Sequence, residues 1–365
     1  MGPIEHFTCP RCGAAPAAEP RTWRCPACGA PLELPDPPLD PGAELRGEGL
    51  WRYLPWLPVD RPVRLGEPVT PLVSLDWGGR EPWLKLESAQ PSGSFKDRGA
   101  AVLTAWLAGH GVRHVVEDSS GNAGAALAAY AARAGIACDI YVPADLSPAK
   151  LVQIEAYGAR PVRIPGPRPK ATEAVIEAVA GGAVYASHTY NPLYLAGTRT
   201  FAFELWEQLG RRVPDVVVLP VGGGSLLLGA ARGFDELRAS GLAERVPRLV
   251  CVQAAACAPV VAAFERGAAD VAAVAAQPTV AEGIRNAAPP RGARMLDIVR
   301  ASGGTALAVG EGAILGARAR AARAGILVET TAAVSLAALA EHTVAAPGET
   351  VVVAVTGHGL KTAGV

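Results

Sequence analysis

Asp215-Val216-Val217-Val218-Leu219-Pro220-Val221-Gly222-Gly223-Gly224-Ser225-Leu226 decides the fold class. A β-branched apolar run reads as a buried strand. Three glycines then make a tight turn, and Ser225 can cap a helix predicted over 225–239. Outward from this unit the same alternation repeats. Further strands are predicted at Trp83–Leu86, His114–Glu117, Cys138–Val142, Val162–Ile164, Leu249–Gln253, Ile326–Glu329 and Thr350–Val355. Helices are predicted near 95–109, 123–135, 148–157, 170–179, 199–209, 312–324 and 332–342. Such alternation predicts parallel sheets with helices on both faces. The strands are too many for one tidy sheet, so two doubly wound α/β domains are expected.

Composition agrees. The 365 residues suit two or three domains, and a 50% share of AVILMFWYC is enough for a large core. Thirty-four basic residues balance 34 acidic ones, so no global field attracts nucleic acid or an anionic membrane. Only five of the basic residues are lysines: Lys85, Lys96, Lys150, Lys170 and Lys361. The most apolar charge-free run, Leu249 to Phe264, has 16 residues and contains Gln253 and Pro259, too short and too broken to span a bilayer. Met1-Gly2-Pro3-Ile4-Glu5-His6 carries no targeting pattern and reads as a cytoplasmic start.

Four of the seven cysteines fall at the N-terminus, in Cys9-Pro10-Arg11-Cys12-Gly13 and Cys25-Pro26-Ala27-Cys28-Gly29. Each is a CPxCG knuckle whose glycine permits the positive φ of a tight turn. Cys9, Cys12, Cys25 and Cys28 form the ligand set of a closed tetrahedral zinc site. Two disulfides, or cysteines kept without a metal, are the alternatives. Four thiolates leave no open position, so the metal would be structural. A Pro/Asp/Gly-rich linker follows over 34–50.

In open α/β sheets ligands sit where strands end and loops lead into helices. Four such loops carry unusual chemistry. Gln90-Pro91-Ser92-Gly93-Ser94-Phe95-Lys96-Asp97-Arg98-Gly99 places Lys96 at a helix start, where an ammonium is disfavoured and the neutral amine becomes a nucleophile. A solvated lysine paired with Asp97 is the plainer alternative. Ser119-Ser120-Gly121-Asn122-Ala123-Gly124 gathers hydroxyls, an amide and open N–H groups at a helix start, a receptor for a carboxylate or phosphate or an ordinary capped turn. Gly222, Gly223, Gly224 and Ser225 form a phosphate cradle or a compact turn; neither GxxxxGK[ST] nor GxGxxG occurs. Thr356-Gly357-His358-Gly359-Leu360-Lys361 ends a strand with a hydroxyl between glycines, and His358 is either an acid/base group or a packing residue. HExxH and GxSxG are both absent.

Pro91 to Gly99, Ser120-Gly121-Asn122 and Thr356 to Lys361, in this order, resemble the threonine synthase family of fold type II pyridoxal-phosphate enzymes. Gly66-Glu67-Pro68-Val69-Thr70-Pro71-Leu72 and Trp51-Arg52-Tyr53 with Leu57-Pro58 extend the resemblance, and an N-terminal zinc ribbon occurs in some members. The resemblance implies that Lys96 holds pyridoxal 5'-phosphate and shuttles protons. It implies that Asn122 bonds the ring oxygen, Gly222 to Ser225 hold the phosphate, and Thr356 faces the pyridine nitrogen. Ser119, Ser120 and Gly121 would receive the carboxylate of a small amino-acid substrate. The implied reaction is a lyase reaction converting O-phospho-L-homoserine and water to L-threonine and phosphate. A β-elimination or β-replacement on serine, threonine or O-phosphoserine is the alternative, and a non-catalytic ligand sensor the second. A homodimer is the implied assembly.

One region departs from the family. Where it commonly reads Asn-Pro-Tyr-Arg-…-Glu-Gly-…-Lys-Thr, the chain has Asn191-Pro192-Leu193-Tyr194-Leu195-Ala196-Gly197-Thr198-Arg199-Thr200, without the arginine and the glutamate and with Arg199 for the lysine. Thr279-Val280-Ala281-Glu282-Gly283-Ile284 looks more like the dehydratase and racemase relatives. The expected division is a zinc ribbon over 1–33, the linker over 34–50, a large cofactor-phosphate-binding domain over 51–80 and 196–365, and a smaller domain over 81–195 carrying the lysine and asparagine loops.

Overall fold

The computed structural model describes residues 4–35, 38–146, 151–166 and 168–361. Residues 148–150 of the helix expected near 148–157, and residues 36–37 of the linker, lie outside this set. In chain order the elements are β1 (Leu72–Ser74), β2 (Trp83–Leu86), α1 (Lys96–Gly109), β3 (His114–Glu117), α2 (Asn122–Ala134), β4 (Ala137–Pro143), α3 (Val152–Ala156), β5 (Arg160–Ile164), α4 (Arg168–Ala180), β6 (Val184–Tyr185) and α5 (Pro192–Thr198). They continue with α6 (Thr200–Gln208), β7 (Val216–Pro220), α7 (Ser225–Ala239), β8 (Arg248–Ala254), α8 (Pro259–Glu265), α9 (Gly292–Ala301), β9 (Thr305–Val309), α10 (Glu311–Arg323), α11 (Thr330–Glu341) and β10 (Val351–Val355).

Among the described residues the strands form two sheets, each in its own unit. The first unit comprises residues 1–67 and 96–198, and its sheet runs β5-β4-β3-β6, parallel throughout. The second comprises residues 68–95 and 199–365, with the order β1-β2-β10-β7-β8-β9. That sheet is parallel except for β1, which pairs antiparallel with β2. Every residue of β7 is buried. This is the signature of a strand covered on both faces, and it explains the unbroken Val216-Val217-Val218-Leu219 run. Parallel pairing of Val351–Val353 with Val216–Val218 brings the loops after β10 and β7 to one edge of the sheet.

The expected boundaries shift in three places. Residues 51–67 belong to the first unit, because Leu50, Trp51 and Leu57 pack into its core with Leu103, Trp106 and Tyr130. Residues 81–95 belong to the second, because β2 is hydrogen-bonded into its sheet with Trp83 opposite Val352. Residues 196–198 finish α5 and stay with the first. The N-terminal cysteine segment is part of the first unit's core: Phe7, Cys9, Cys25 and Leu32 are buried in it, and Phe7 meets Trp106 at a ring separation of 6.2 Å.

Element readings also change, and β1, β6, α5, α8 and α9 join the predicted set. Ile326–Glu329 is no strand; Val328 makes one isolated bridge to His358, and the apolar run is buried beside a loop rather than laddered. Conversely, Thr305–Val309 is a strand whose two alanines dilute its β signal.

Candidate active site

In the second unit the carboxyl ends of β7 and β10 carry the glycine loop and the threonine loop. The glycines are required by contact. A Cβ on Gly222 would lie 2.8 Å from Ile284 Cα, and one on Gly224, at φ 84°, would lie 2.2 Å from Met295 Sδ. Gln253 clamps the loop from below: its Nε2 donates to Val221 O at 3.0 Å, and its Oε1 accepts from Val260 N at 2.8 Å. The turn therefore opens onto the N-terminus of α7 at Ser225, where backbone N–H groups favour an anion.

Beside it, Thr356 is almost fully buried, yet its Oγ1 has no hydrogen-bond partner among the described residues. Ser94 Oγ and both side-chain polar atoms of Gln90 are likewise buried and unpartnered. A buried orphan hydroxyl costs stability unless something bonds it. Two such hydroxyls and one amide, on segments joined to each other, mark a place built for a polar ligand. The joining is explicit: Phe95 N donates to Thr356 O at 3.0 Å, His358 N to Gly93 O at 3.0 Å, and Lys361 Nζ to Ser92 O at 2.7 Å. His358 closes its own turn, its Nδ1 accepting from Leu360 N at 3.1 Å, which favours the packing role over acid/base work. Sequence reading missed Glu329: it is buried, and a Cβ on Gly357 would fall 2.3 Å from its carboxyl carbon.

In the first unit Lys96 is the opening residue of α1, half-buried, and Asp97 beside it is fully buried. The hydroxyl of Tyr194 on α5 donates to Lys96 O at 2.9 Å, and Lys96 Nζ lies 6.0 Å from the centroid of that ring. The helices touch backbone to backbone: a Cβ on Gly197 would lie 1.8 Å from Arg98 O, and one on Gly99 would enter the Tyr194 ring at 2.3 Å. Ser119, Ser120 and Gly121 run from β3 into α2, which begins at Asn122. A Cβ on Gly124 would sit 1.8 Å from Ser119 O, so the loop folds tightly over the helix start. The structure thus brings Lys96 and Asn122 to helix starts of one unit, and Gly222 to Ser225 and Thr356 to one sheet edge of the other.

Three first-unit groups were not singled out as site residues. Glu117 ends β3, Asp118 comes directly after it, and His188 follows β6 beside them. His188 Nδ1 and Glu117 Oε1 are 2.8 Å apart. Burial, then the neighbouring Asp118, pushes the Glu117 carboxyl well above the usual range. Burial, then the charges of Lys96 and Arg168, holds His188 well below the usual imidazole value. Asp118 accepts from Thr172 Oγ1 at 2.6 Å and Tyr185 OH at 2.8 Å. The pattern was invisible locally, because these partners are far apart in the chain.

At the N-terminus the sulfurs of Cys9, Cys12, Cys25 and Cys28 all lie within 4.8 Å of one another. Cys9 and Cys28 are 3.5 Å apart and Cys12 and Cys25 3.6 Å, well beyond the ~2.05 Å of a disulfide. Sulfurs held about 2.3 Å from one zinc in a tetrahedron would be about 3.8 Å apart. The two knuckles are built alike, with Gly13 N donating to Cys9 O at 3.0 Å and Gly29 N to Cys25 O at 2.9 Å, both glycines at positive φ.

Comparison with known proteins shows the family. Residues 63–357 match the pyridoxal-phosphate dependent enzyme family. The threonine synthase of Methanocaldococcus jannaschii is 34% identical over 373 residues, covering 97% of this chain and 92% of its own. That of Mycobacterium leprae is 34% identical over 310 residues, covering 82% and 84%. Among solved structures, a T.th. threonine deaminase superposes with a TM-score of 0.69 at 30% identity over 80% of this chain and 92% of that one. Maize serine racemase, at 24% identity with a TM-score of 0.70 over 80% and 88%, shares the fold. The chain belongs to the pyridoxal-phosphate-dependent enzyme family and within it is a threonine-synthase-like lyase.

Proposed function

We propose that the protein converts O-phospho-L-homoserine and water to L-threonine and phosphate. The observation that carries this reading is the similarity to threonine synthases at 34% identity across 97% of the chain. When bound, pyridoxal phosphate supplies an electron sink for negative charge developing on the substrate. The chain fits that group: a glycine turn in which Gly222 and Gly224 have no room for a Cβ, a helix N-terminus at Ser225, and a Thr356 hydroxyl unpartnered among the described residues. Gly222, Gly223, Gly224 and Ser225 would hold its phosphate, Thr356 its ring nitrogen and Asn122 its ring oxygen. Lys96 would hold it through the ε-amine, then take the proton from the substrate's Cα and return it. Ser119, Ser120 and Gly121 would receive the substrate carboxylate at the start of α2. Cys9, Cys12, Cys25 and Cys28 would hold one structural zinc ion, and a cytoplasmic setting belongs to the same reading.

A second reading, elimination from an unphosphorylated hydroxy amino acid, is favoured by one observation. Tyr194 stands where the threonine synthase motif has arginine, and Arg199, in place of its lysine, is fully buried against Glu236, which also pairs with Arg232. That leaves this segment without a cation for a phosphate. Holoprotein offered O-phospho-L-homoserine decides: phosphate and L-threonine released in equal amounts support the first reading. Ammonia from L-threonine or L-serine, with O-phospho-L-homoserine untouched, overturns it in favour of the second.

A further inference from the structure

The first unit holds, beside Lys96, a pair of titratable groups to which nothing above gives a task. Glu117 is 1% exposed and its Oε2 has no partner among the described residues. Its Oε1 meets His188 Nδ1 at 2.8 Å. The His188 side chain is 18% exposed, which leaves its other nitrogen, Nε2, to face outward from the pair. Its ring packs edge-on against Tyr194 at 6.1 Å, and Lys96 Nζ approaches that same ring at 6.0 Å. Two groups able to move protons therefore flank one tyrosine.

We propose that His188, oriented by Glu117, is a second proton-transfer group of this active site, acting through Nε2 on the oxygen that leaves or enters the substrate side chain while Lys96 handles the Cα proton. The proposal rests on the lyase reading and holds for either substrate. Glu117 is a positioning residue that stores a proton.

The proton count closes. In the resting pair Glu117 is a carboxylic acid whose O–H donates to Nδ1, so His188 is neutral with its hydrogen on Nε2. The leaving oxygen departs with the electron pair of its C–O bond and takes the Nε2 proton. The Glu117 proton moves to Nδ1, leaving a carboxylate facing an Nδ1–H imidazole. An entering water gives a proton to Nε2 as its oxygen bonds to carbon, and the Nδ1 proton returns to Glu117. In a simple elimination solvent restores that proton. The surroundings suit both states: Asp118 lies beside Glu117, Lys96 and Arg168 act on His188, and Arg168 acts on Glu117 too. Burial makes an uncharged resting pair the cheaper one.

The test uses holoprotein, wild type and the variants His188→Gln and Glu117→Gln, with the visible cofactor band as a check on each. Exchange of the Cα hydrogen of L-alanine in D2O reads the Lys96 step alone, since alanine has no leaving group. Turnover of whichever substrate the wild type accepts reads the whole reaction. We expect His188→Gln to lower kcat about 100-fold, to leave Cα exchange within about twofold, and to remove one limb of the pH–rate profile. Glu117→Gln should shift that limb rather than remove it. Equal loss of exchange and turnover, or unchanged turnover, overturns the proposal. Nitrogen NMR of histidine-labelled protein, with His188 assigned by its loss in His188→Gln, reads the tautomer without any substrate. Hydrogen on Nε2 supports the proposal and hydrogen on Nδ1 overturns it. A wild type inert towards every substrate offered counts against the proposed reaction, and the tautomer then decides for the pair.

Discussion

The carboxyl ends of the two sheets are built on different principles. In the second unit the loops after β7 and β10 are fixed by backbone contacts, by glycines with no room for a Cβ, and by hydrogen bonds that tie Gly93 and Phe95 to Thr356 and His358. Its buried Lys85 is enclosed by acceptors: Lys85 Nζ donates to Thr70 O, Glu204 Oε1 and Gln208 Oε1 within 2.8 Å. In the first unit the corresponding loops carry the groups able to move protons, namely Lys96, Glu117 and His188, with a Glu117 carboxyl oxygen unpartnered among the described residues. One end is shaped for holding and the other is equipped for moving protons. Rigidity and reactivity are thus assigned to separate sheets of one chain.

The division of labour is most exposed at its two lysines. Lys96→Ala should lower turnover by at least about 10³-fold while the chain still takes up cofactor, read as bound pyridoxal phosphate after gel filtration. Loss of uptake would show that the second unit's loops do not retain the cofactor without Lys96. Lys85→Met should leave a buried carboxylate at Glu204 without its partner and lower stability by about 3–5 kcal/mol, seen as a fall in denaturant midpoint. A change below about 1 kcal/mol would mean that the network around Lys85 is not the closed one described.

Thr356→Val probes the holding end more finely. Removing an unsatisfied buried hydroxyl should raise the stability of the cofactor-free protein by about 1 kcal/mol and weaken cofactor affinity in the same variant. A lower melting temperature of the cofactor-free variant would refute the orphan assignment. The smallest effect lies in the pH dependence of stability. His188 is held below its unfolded value of about 6.5, so the unfolded chain takes up a proton that the folded chain refuses. Stability is thus present above that pH and lost as pH falls below it. Glu117 is raised, so its contribution is present below about pH 4.3 and is lost as pH rises. Between about pH 6.5 and pH 5 the melting temperature of His188→Gln should therefore fall less than that of wild type. The difference should be about one or two degrees, the size that the unfolding entropy of a chain this long allows. An unchanged slope would place His188 in contact with solvent.

Much of the second unit's end was legible in the chain because its requirements are local. Gly222-Gly223-Gly224 and Thr356-Gly357 each announce a strand ending in a glycine turn. Lys96 and Asn122 stood at helix starts for the same reason. What the sequence withheld depends on pairing. Glu117 and His188 meet because β3 and β6 are neighbours, with Val116 opposite Tyr185, and a two-residue β6 leaves almost no pattern to read. Ile326–Glu329 misled because burial beside the turn at Gly359 selects the same residues as a ladder does; Gly359 N donates to Leu327 O at 3.1 Å. The placement of 51–67 depended on which core Trp51 enters, and composition alone carries no such address.

The contact between α1 and α5 has a consequence for how such a site diversifies. Gly99 exists because the Tyr194 ring occupies the space where its Cβ would stand. A larger residue at 99 demands a smaller one at 194, and a smaller one at 194 leaves a void that a larger residue at 99 can fill. The two positions are therefore a single evolutionary variable. A lineage that exchanges Tyr194 for another side chain reshapes the wall beside Lys96 by compensated double steps, and the intermediates of that walk are the unstable ones.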